Sequence, residues 1–253
     1  MFDPEEGKGT KMYGQGYCIE LGCSDYGEIL DLQLRLNQAR QRNEIPDTFL
    51  LLEHRPCLTI GRKGGWNHIL AGSSVLAAQN IKVFESNRGG DITYHGPGQL
   101  ICYPVVALTG AERDLHAFAR KMEEMLIRTL RQFGLASGRK ARYPGVWIGD
   151  AKIGAMGMAV RKWVTMHGVA LNVCPDLRHF DLITPCGISG LGVTSMQELT
   201  GMADMADVRR VLKRQLEGLF QIRLEDIGPD KIKEMTQNAA KTALADCTGA
   251  KAD

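Results

Sequence analysis

No two of the seven cysteines are spaced as C-x-x-C, no N-x-[ST] acceptor occurs, and no apolar run approaches the ~20 residues needed to span a bilayer. The opening stretch, MFDPEEGKGTK, is polar and partly acidic and does not read as a signal peptide. These absences lead us to expect free thiols, a cytoplasmic location and no membrane association. A net charge of only +2 gives no reason to expect a nucleic-acid partner. The interior lacks a linker-like Pro/Gly/Ser stretch, so residues 1–253 are expected to form one domain. With 44% hydrophobic residues it has material for a sizeable core. Signature motifs are missing too: no P-loop, no G-x-S-x-G elbow, no H-E-x-x-H pair and no EF-hand loop. The G-P-G at 96–98 lacks the third glycine of a dinucleotide fingerprint. Cys174, His179 and Cys186 match no zinc spacing and want a fourth ligand, so neither a metal nor a cofactor is expected.

What is present is a chain whose apolar period changes along its length. Ile29, Leu32, Leu36 and Ala39 are spaced 3, 4 and 3, which predicts an amphipathic helix over 27–42. Thr48–Leu52 and Leu58–Ile60 predict short strands around a proline turn. Residues 112–134 predict the longest helix, with Leu115, Phe118, Met122, Leu126 and Phe133 on one stripe and Gly134 near its end. Period 2 then takes over. Val146–Ile148, a Gly149-Asp150 turn, Lys152–Val160 and Val164–Val173 predict three antiparallel strands. Two closing helices are expected over about 205–220 and 229–245. Without regular βαβ alternation, the pattern indicates an α+β fold: a sheet with helices packed mainly on one side.

Three segments carry candidate chemistry. The first is Arg88–Leu100, RGGDITYHGPGQL, between predicted strands at Ile81–Phe84 and Leu100–Leu108. Its glycines let backbone amides approach a bound group, and Arg88 and His95 can help hold something oxygen-rich; a turn-rich hairpin is the plainer alternative. The second is Lys152–Asn172, where Gly154, Ala155, Gly157 and Ala159 leave little side-chain volume. Such a strand suits the floor of a slot for an aliphatic chain, or equally the close packing of a helix. Lys152 at its start is either a snorkelling surface residue or, if buried, an acid and base of lowered pKa. His167, in mid-strand, reads as a hydrogen-bonded structural residue.

The third segment is Ile183–Thr194, ITPCGISGLGVT. Cys186 stands between Pro185 and Gly187, which can present its thiol and the following amide to a ligand. Cys57, Cys102 and Cys174 sit in apolar runs and read as buried and inert. A thiol needs a neighbouring cation, here Lys152 or His95, to be mostly thiolate near neutrality.

In order and spacing, RGGDITYHGPGQLICYP, AKIGAMGMAVRKWVTMHGVALNV and ITPCGISGLGVTSM resemble the three signature blocks of the lipoyl(octanoyl) transferase family, over about residues 48–198. The resemblance implies a fold like that of the biotin and lipoate protein ligases: a mixed sheet, helices on one side and a smaller C-terminal helical part from about 200 onward. It also implies an acyltransferase that moves an octanoyl group from octanoyl-acyl carrier protein to a lysine of a lipoyl domain, in endogenous protein lipoylation. The acceptors would be the lipoyl domains of 2-oxoacid dehydrogenase complexes and the glycine cleavage H protein. The family's thioester-forming cysteine falls on Cys186 and its pKa-lowering lysine on Lys152. Its substrate contacts fall on Arg88, Gly89, Gly90, Asp91, Ile92, Thr93, Tyr94 and His95, on Ala155, Met156 and Gly157, and on Gly168, Val169 and Ala170. Met156 replaces a smaller or branched aliphatic residue.

The expected mechanism is a two-step acyl transfer through Cys186, with Lys152 moving the proton and amides near Cys186-Gly187 stabilising the oxyanion. An ATP-dependent lipoate or biotin ligase is the main alternative, since IGRKGG at 60–65 can cradle a phosphate. Such a ligase needs no cysteine in the PCG position. A Cys-His hydrolase using His95 or His167 leaves Lys152 without a role, and a non-catalytic acyl-carrier binder leaves Cys186 without one. Basic clusters at Arg62-Lys63, Arg139-Lys140-Arg142, Arg161-Lys162 and Arg209-Arg210-Lys213-Arg214 suit acidic carrier and lipoyl domains.

Overall fold

The structure is a computed structural model that describes residues 14–184, 191–228, 230–232, 234 and 235. Along the chain run β1 (Gly14–Ser24), α1 (Tyr26–Gln41), β2 (Asp47–His54), β3 (Cys57–Ile60), α2 (Ser73–Ala78), β4 (Lys82–Glu85), β5 (Ile92–His95), β6 (Gln99–Val105) and α3 (Leu115–Gln132). They are followed by β7 (Gly138–Lys140), β8 (Tyr143–Ile148), β9 (Ala151–Arg161), β10 (Val164–Asn172), β11 (Gly192–Val193), α4 (Met196–Thr200), α5 (Met205–Phe220) and β12 (Ile222–Asp226). The long helices start where the sequence supplies a carboxylate cap. Asp25 accepts from Gly27 N–H, Asp114 from His116 and Ala117, and Asp204 from Asp207.

The strands form two sheets. The larger runs β12-β1-β2-β6-β10-β9-β8-β7, with β11 added to β9; the smaller is β4-β3-β5. Parallel pairs (β1 with β2 and β12) stand beside antiparallel ones (β6 with β2 and β10), so the sheet is mixed and the class is α+β. Strands β2, β6 and β10 are buried on both faces, so each alternates between two cores rather than between core and water. Phe49, Leu51, Leu100, Cys102, Val169 and Leu171 pack under α3 and α5. The intervening Leu50, Leu52, Ile101, Tyr103 and Ala170 face α1 on the other side. Helices α3 and α5 thus share one face as the sequence suggested, while α1 covers the opposite one.

Several elements escaped the sequence pattern. β5 is a four-residue strand inside the glycine-rich segment, β1 is an 11-residue strand with no clean alternation, and β12 returns alongside it in parallel. The chain beyond about 200 therefore joins the main sheet through β12 and the main core through α5. The helix expected over 229–245 falls largely outside the described residues. Among the described residues no helix is long and apolar enough to cross a membrane.

Gly168 sits at the end of the antiparallel pairing of β10 with β6, beside the Val169–Cys102 pair. A Cβ there would lie 2.1 Å from the carbonyl oxygen of Cys102 and 2.7 Å from Cδ of Pro104. Backbone cannot yield as a flexible side chain can, so Gly168→Ala is expected to cost about 2 kcal/mol or more. Urea unfolding of the variant tests this; an unchanged midpoint would show that the strands are not so tightly apposed.

Candidate active site

A cavity of about 150 Å³ lies where the two sheets meet. Lys152, at the start of β9, lines it with most of the substrate contacts expected from the sequence: Arg88, Gly90, Asp91, Ile92, Thr93, His95, Ala155, Met156, Gly157, Gly168, Val169 and Ala170. Gly89 and Tyr94 do not. The Gly89 N–H is turned to Met158 O at 2.8 Å, which fastens this loop to β9. Tyr94 points to the opposite face of β5 and packs on His179 and Phe180, with ring centroids 4.7 and 5.6 Å away. Cys186 lies outside the described residues.

The polar side chains of this wall are spent on holding it together. The buried Arg88 guanidinium donates to Thr59 O (2.5 Å), Thr59 Oγ1 (2.9 Å) and Gly89 O (3.1 Å). Asp91 accepts from the Ile92 N–H at 2.6 Å and pairs with His68 Nδ1 at 2.7 Å. Gln99 Nε2 donates to Tyr94 O and Asn172 Oδ1, so its Oε1 accepts from His95 Nδ1 at 3.1 Å. That leaves His95 Nε2 as an acceptor. Asn172 in turn donates to Thr194 O, and the Thr194 N–H donates to Lys152 O. One chain of hydrogen bonds thus joins His95 to the backbone of Lys152.

Burial keeps His54, His95 and His167 neutral. Desolvation, reinforced by the charge of Arg88, drives His95 well below the ordinary imidazole range and His167 down to about 4. Desolvation likewise lowers His54 to about 4, and its Nε2 meets the Tyr103 hydroxyl at 2.9 Å. His167 adopts φ +55° in mid-strand, its N–H bonded to Gln33 Oε1 of α1 and its Nε2 to Asn87 Oδ1. At neutral pH none of these rings donates a proton as an imidazolium. Lys152 Nζ stands 4.8 Å from the ring centroid of the buried Trp147.

The small residues of β9 divide between the two roles the sequence left open. A Cβ on Gly154 would lie 2.7 Å from Leu126 of α3, so that glycine serves helix packing. A Cβ on Gly157 would meet Gly89 O at 2.8 Å, so that one admits the loop of Arg88. Ala155 and Met156 line the cavity.

The described cysteines are not poised to react. Burial pushes Cys18 up to about 12, and Cys57 and Cys102 further. Cys174 is exposed rather than buried, because the chain leaves β10 there and turns past Gly98; desolvation and then Glu53 raise its pKa as well. Among the described residues no group of three or more His, Cys, Asp or Glu is placed to hold a metal ion.

Residues 25–217 match the family of the lipoyl protein ligase A/B catalytic domain. An octanoyltransferase from Clostridium kluyveri is 41% identical over 211 residues, covering 83% of this chain and 88% of that protein. One from Desulforamulus reducens is 42% identical over 221 residues, covering 87% and 97%. The chain belongs to the octanoyltransferase family of acyltransferases. Its fold is that of the lipoate-protein ligases. Lipoate-protein ligase A bound with ATP superposes with a TM-score of 0.71 at 17% identity, over 88% of this chain and 93% of the other. A bipartite lipoate protein ligase from Thermoplasma acidophilum superposes with 0.71 at 17%, over 89% and 92%.

The chain departs from the phosphate-cradle expectation at 60–65. The N–H groups of Gly61, Arg62, Lys63 and Gly64 donate to the carbonyls of Asp91, Arg88, Gly90 and Gly61 respectively. They brace the cavity wall and are not turned out to a phosphate. Sequence reasoning passed over Trp147, Tyr103 and Asn172, which also line the cavity. Trp147 and Tyr103 arrive from strands that look like ordinary core. Asn172 ends the MHGVALN stretch, and a polar residue closing an apolar strand is the signal that points to it.

His54 and His167 bind a proton near pH 6.5 when unfolded but only near 4 when folded, so folding favours their neutral forms. Their contribution is full above about pH 6.5 and is lost as pH falls towards 4, at up to about 1.4 kcal/mol per pH unit for each ring. Urea midpoints are therefore expected to fall steeply between pH 6.5 and 4.5, with the slope reduced in His54→Gln. A flat profile would contradict buried neutral imidazoles.

Proposed function

We propose that this chain transfers an octanoyl group from an acyl-carrier thioester to a lysine amine of a lipoyl domain, through a thioester on Cys186. The observation that carries the reading is the position of Lys152 on the wall of a cavity whose other charged side chains, Arg88 and Asp91, are bonded to protein groups, between the two chain segments that lead to Cys186. On one side Thr184 N–H bonds His68 O, and His68 holds Asp91. On the other, Leu191, Gly192 and Val193 line the cavity, and β11 lies beside Lys152 itself.

The cation of Lys152 favours the thiolate form of Cys186. That thiolate attacks the donor's thioester carbon and forms the acyl-enzyme. The departing pantetheine thiolate takes a proton from the Lys152 ammonium and leaves as a thiol. The acceptor lysine, as a neutral amine, then attacks the acyl-enzyme, forming the amide. Neutral Lys152 accepts the amine's proton, and the Cys186 thiolate is restored. Two lower barriers replace one, and an amide is more stable than a thioester, so no ATP is consumed. His95, neutral with its Nδ1 engaged by Gln99, serves as a positioning residue. The apolar stretch at Ala155–Gly157 and Gly168–Ala170 holds the acyl chain.

Incubation with octanoyl-acyl carrier protein without ATP, followed by intact mass and peptide mapping, is expected to place one octanoyl group on Cys186. Adding a lipoyl domain should discharge it. Cys186→Ser should form no thioester, and Lys152→Ala should slow acylation by about 10²-fold or more and raise the pH at which iodoacetamide labels Cys186. Activity that appears only with ATP and free octanoate would instead make this a ligase.

A further inference from the structure

Of the four basic clusters, one stands on the rim of the cavity. Arg62 and Lys63 are exposed, and neither has an ion-pair partner among the described residues. Their backbone N–H groups are tied to Arg88 and Gly90, which line the cavity. Among the described residues Arg142 and Arg214 also have no ion-pair partner, but the remaining cations of the other clusters are paired or remote. Arg209, Arg210 and Lys213 on α5 are paired with Glu20, Asp207 and Asp226, Arg139 with Glu123 and Glu124, and Lys140 with Asp150. Arg161 and Lys162 form the β9–β10 turn, at the opposite end of the hairpin from Lys152.

The same segment carries exposed apolar surface. Trp66 is 58% exposed and Leu70 64%, although Trp66 is held in place by a bond from its indole N–H to Glu85. Just beyond, Leu70 and Ala71 N–H groups bond Leu182 O, and Ile69 bridges to Ile183, in the segment that leads to Cys186. Residues 61–71 thus span from the cavity wall to the approach of the nucleophile, presenting two cations, an aromatic ring and a leucine outward. Aromatic and arginine side chains are what the centres of protein interfaces are rich in.

Resting on the acyl-transfer reading, we propose that this rim, centred on Arg62, Lys63, Trp66 and Leu70, is where the acyl donor docks: an acidic carrier domain whose thioester hangs on a phosphate-bearing arm. Charge decides between donor and acceptor. The donor approaches with a phosphodiester and an acidic surface, which two unpaired cations attract. The acceptor must bring a lysine amine to the same mouth, and those cations repel its ammonium form.

The test is Arg62→Glu with Lys63→Glu, a change that keeps both backbone N–H groups. Steady-state rates would be taken with octanoyl-acyl carrier protein and with octanoyl-N-acetylcysteamine, which has the thioester but neither phosphate nor carrier. We expect kcat/KM for the carrier donor to fall about tenfold or more and its dependence on salt to flatten. The rate with the small thioester and KM for the lipoyl domain should stay within about twofold, and Arg62→Lys with Lys63→Arg should behave as wild type. An equal loss with both donors, or a loss that appears in KM of the lipoyl domain, overturns the proposal. If the wild-type protein accepts octanoyl from neither donor, the acyl-transfer reading itself fails, and this inference fails with it.

Discussion

The buried guanidinium of Arg88 is the interaction on which the site depends. It lies in the wall between the two sheets, donating to both acceptor groups of Thr59 on β3 while the next residue, Gly89, is bonded to β9. An arginine taken out of water costs several kcal/mol unless its donors are met, and here they meet fixed backbone and hydroxyl oxygens. The sheets are thereby locked at one separation, and that separation is the cavity. The cost of the buried charge is offset by the geometry it fixes. The charge also adds to the burial that suppresses protonation of His95 and His167.

This arrangement explains why the glycine-rich run behaves differently from a phosphate-binding loop with similar composition. Its charged side chains, Arg88 and Asp91, face inward to protein partners, and its neighbours at 61–64 contribute their amides to the same brace. Rigidity is the product. A cavity whose charged side chains are bonded to protein groups keeps the stretch at Ala155–Gly157 and Gly168–Ala170 apolar. The chain of bonds from His95 through Gln99, Asn172 and Thr194 to Lys152 extends that rigidity across to β9.

Much of this was legible in the residues themselves. The helices at 26–41 and 115–132 declare themselves by period and cap, and the β8–β9–β10 meander by alternation and its Gly149-Asp150 turn. The cavity wall showed itself as glycine and alanine density in two separate segments. What could not be read were features set by tertiary contact. β1 and β12 pair in parallel over 200 residues of separation, and no local pattern encodes a partner so distant. β5 is too short and glycine-flanked to show alternation. The two-sided burial of β2 erased the polar face that would have revealed α1 on the far side. Trp147 resembles any core aromatic until β8 brings it beside Lys152.

The small sheet therefore does more than close the cavity. Its segment from Gly61 to Ala71 is fixed on one side by Arg88, Gly90 and Asp91 and on the other by Leu182 and Ile183, so it joins the cavity wall to the end of the strand bridge at Ile183. A structural brace in that position has an inner surface committed to backbone bonds, and its side chains are left to face outward. Two cations with no ion-pair partner among the described residues and two exposed apolar residues are what this brace presents there. The backbone bonds that hold the cavity wall in place thus also decide which side chains are turned out to its rim, and those side chains are free to vary without altering the wall behind them.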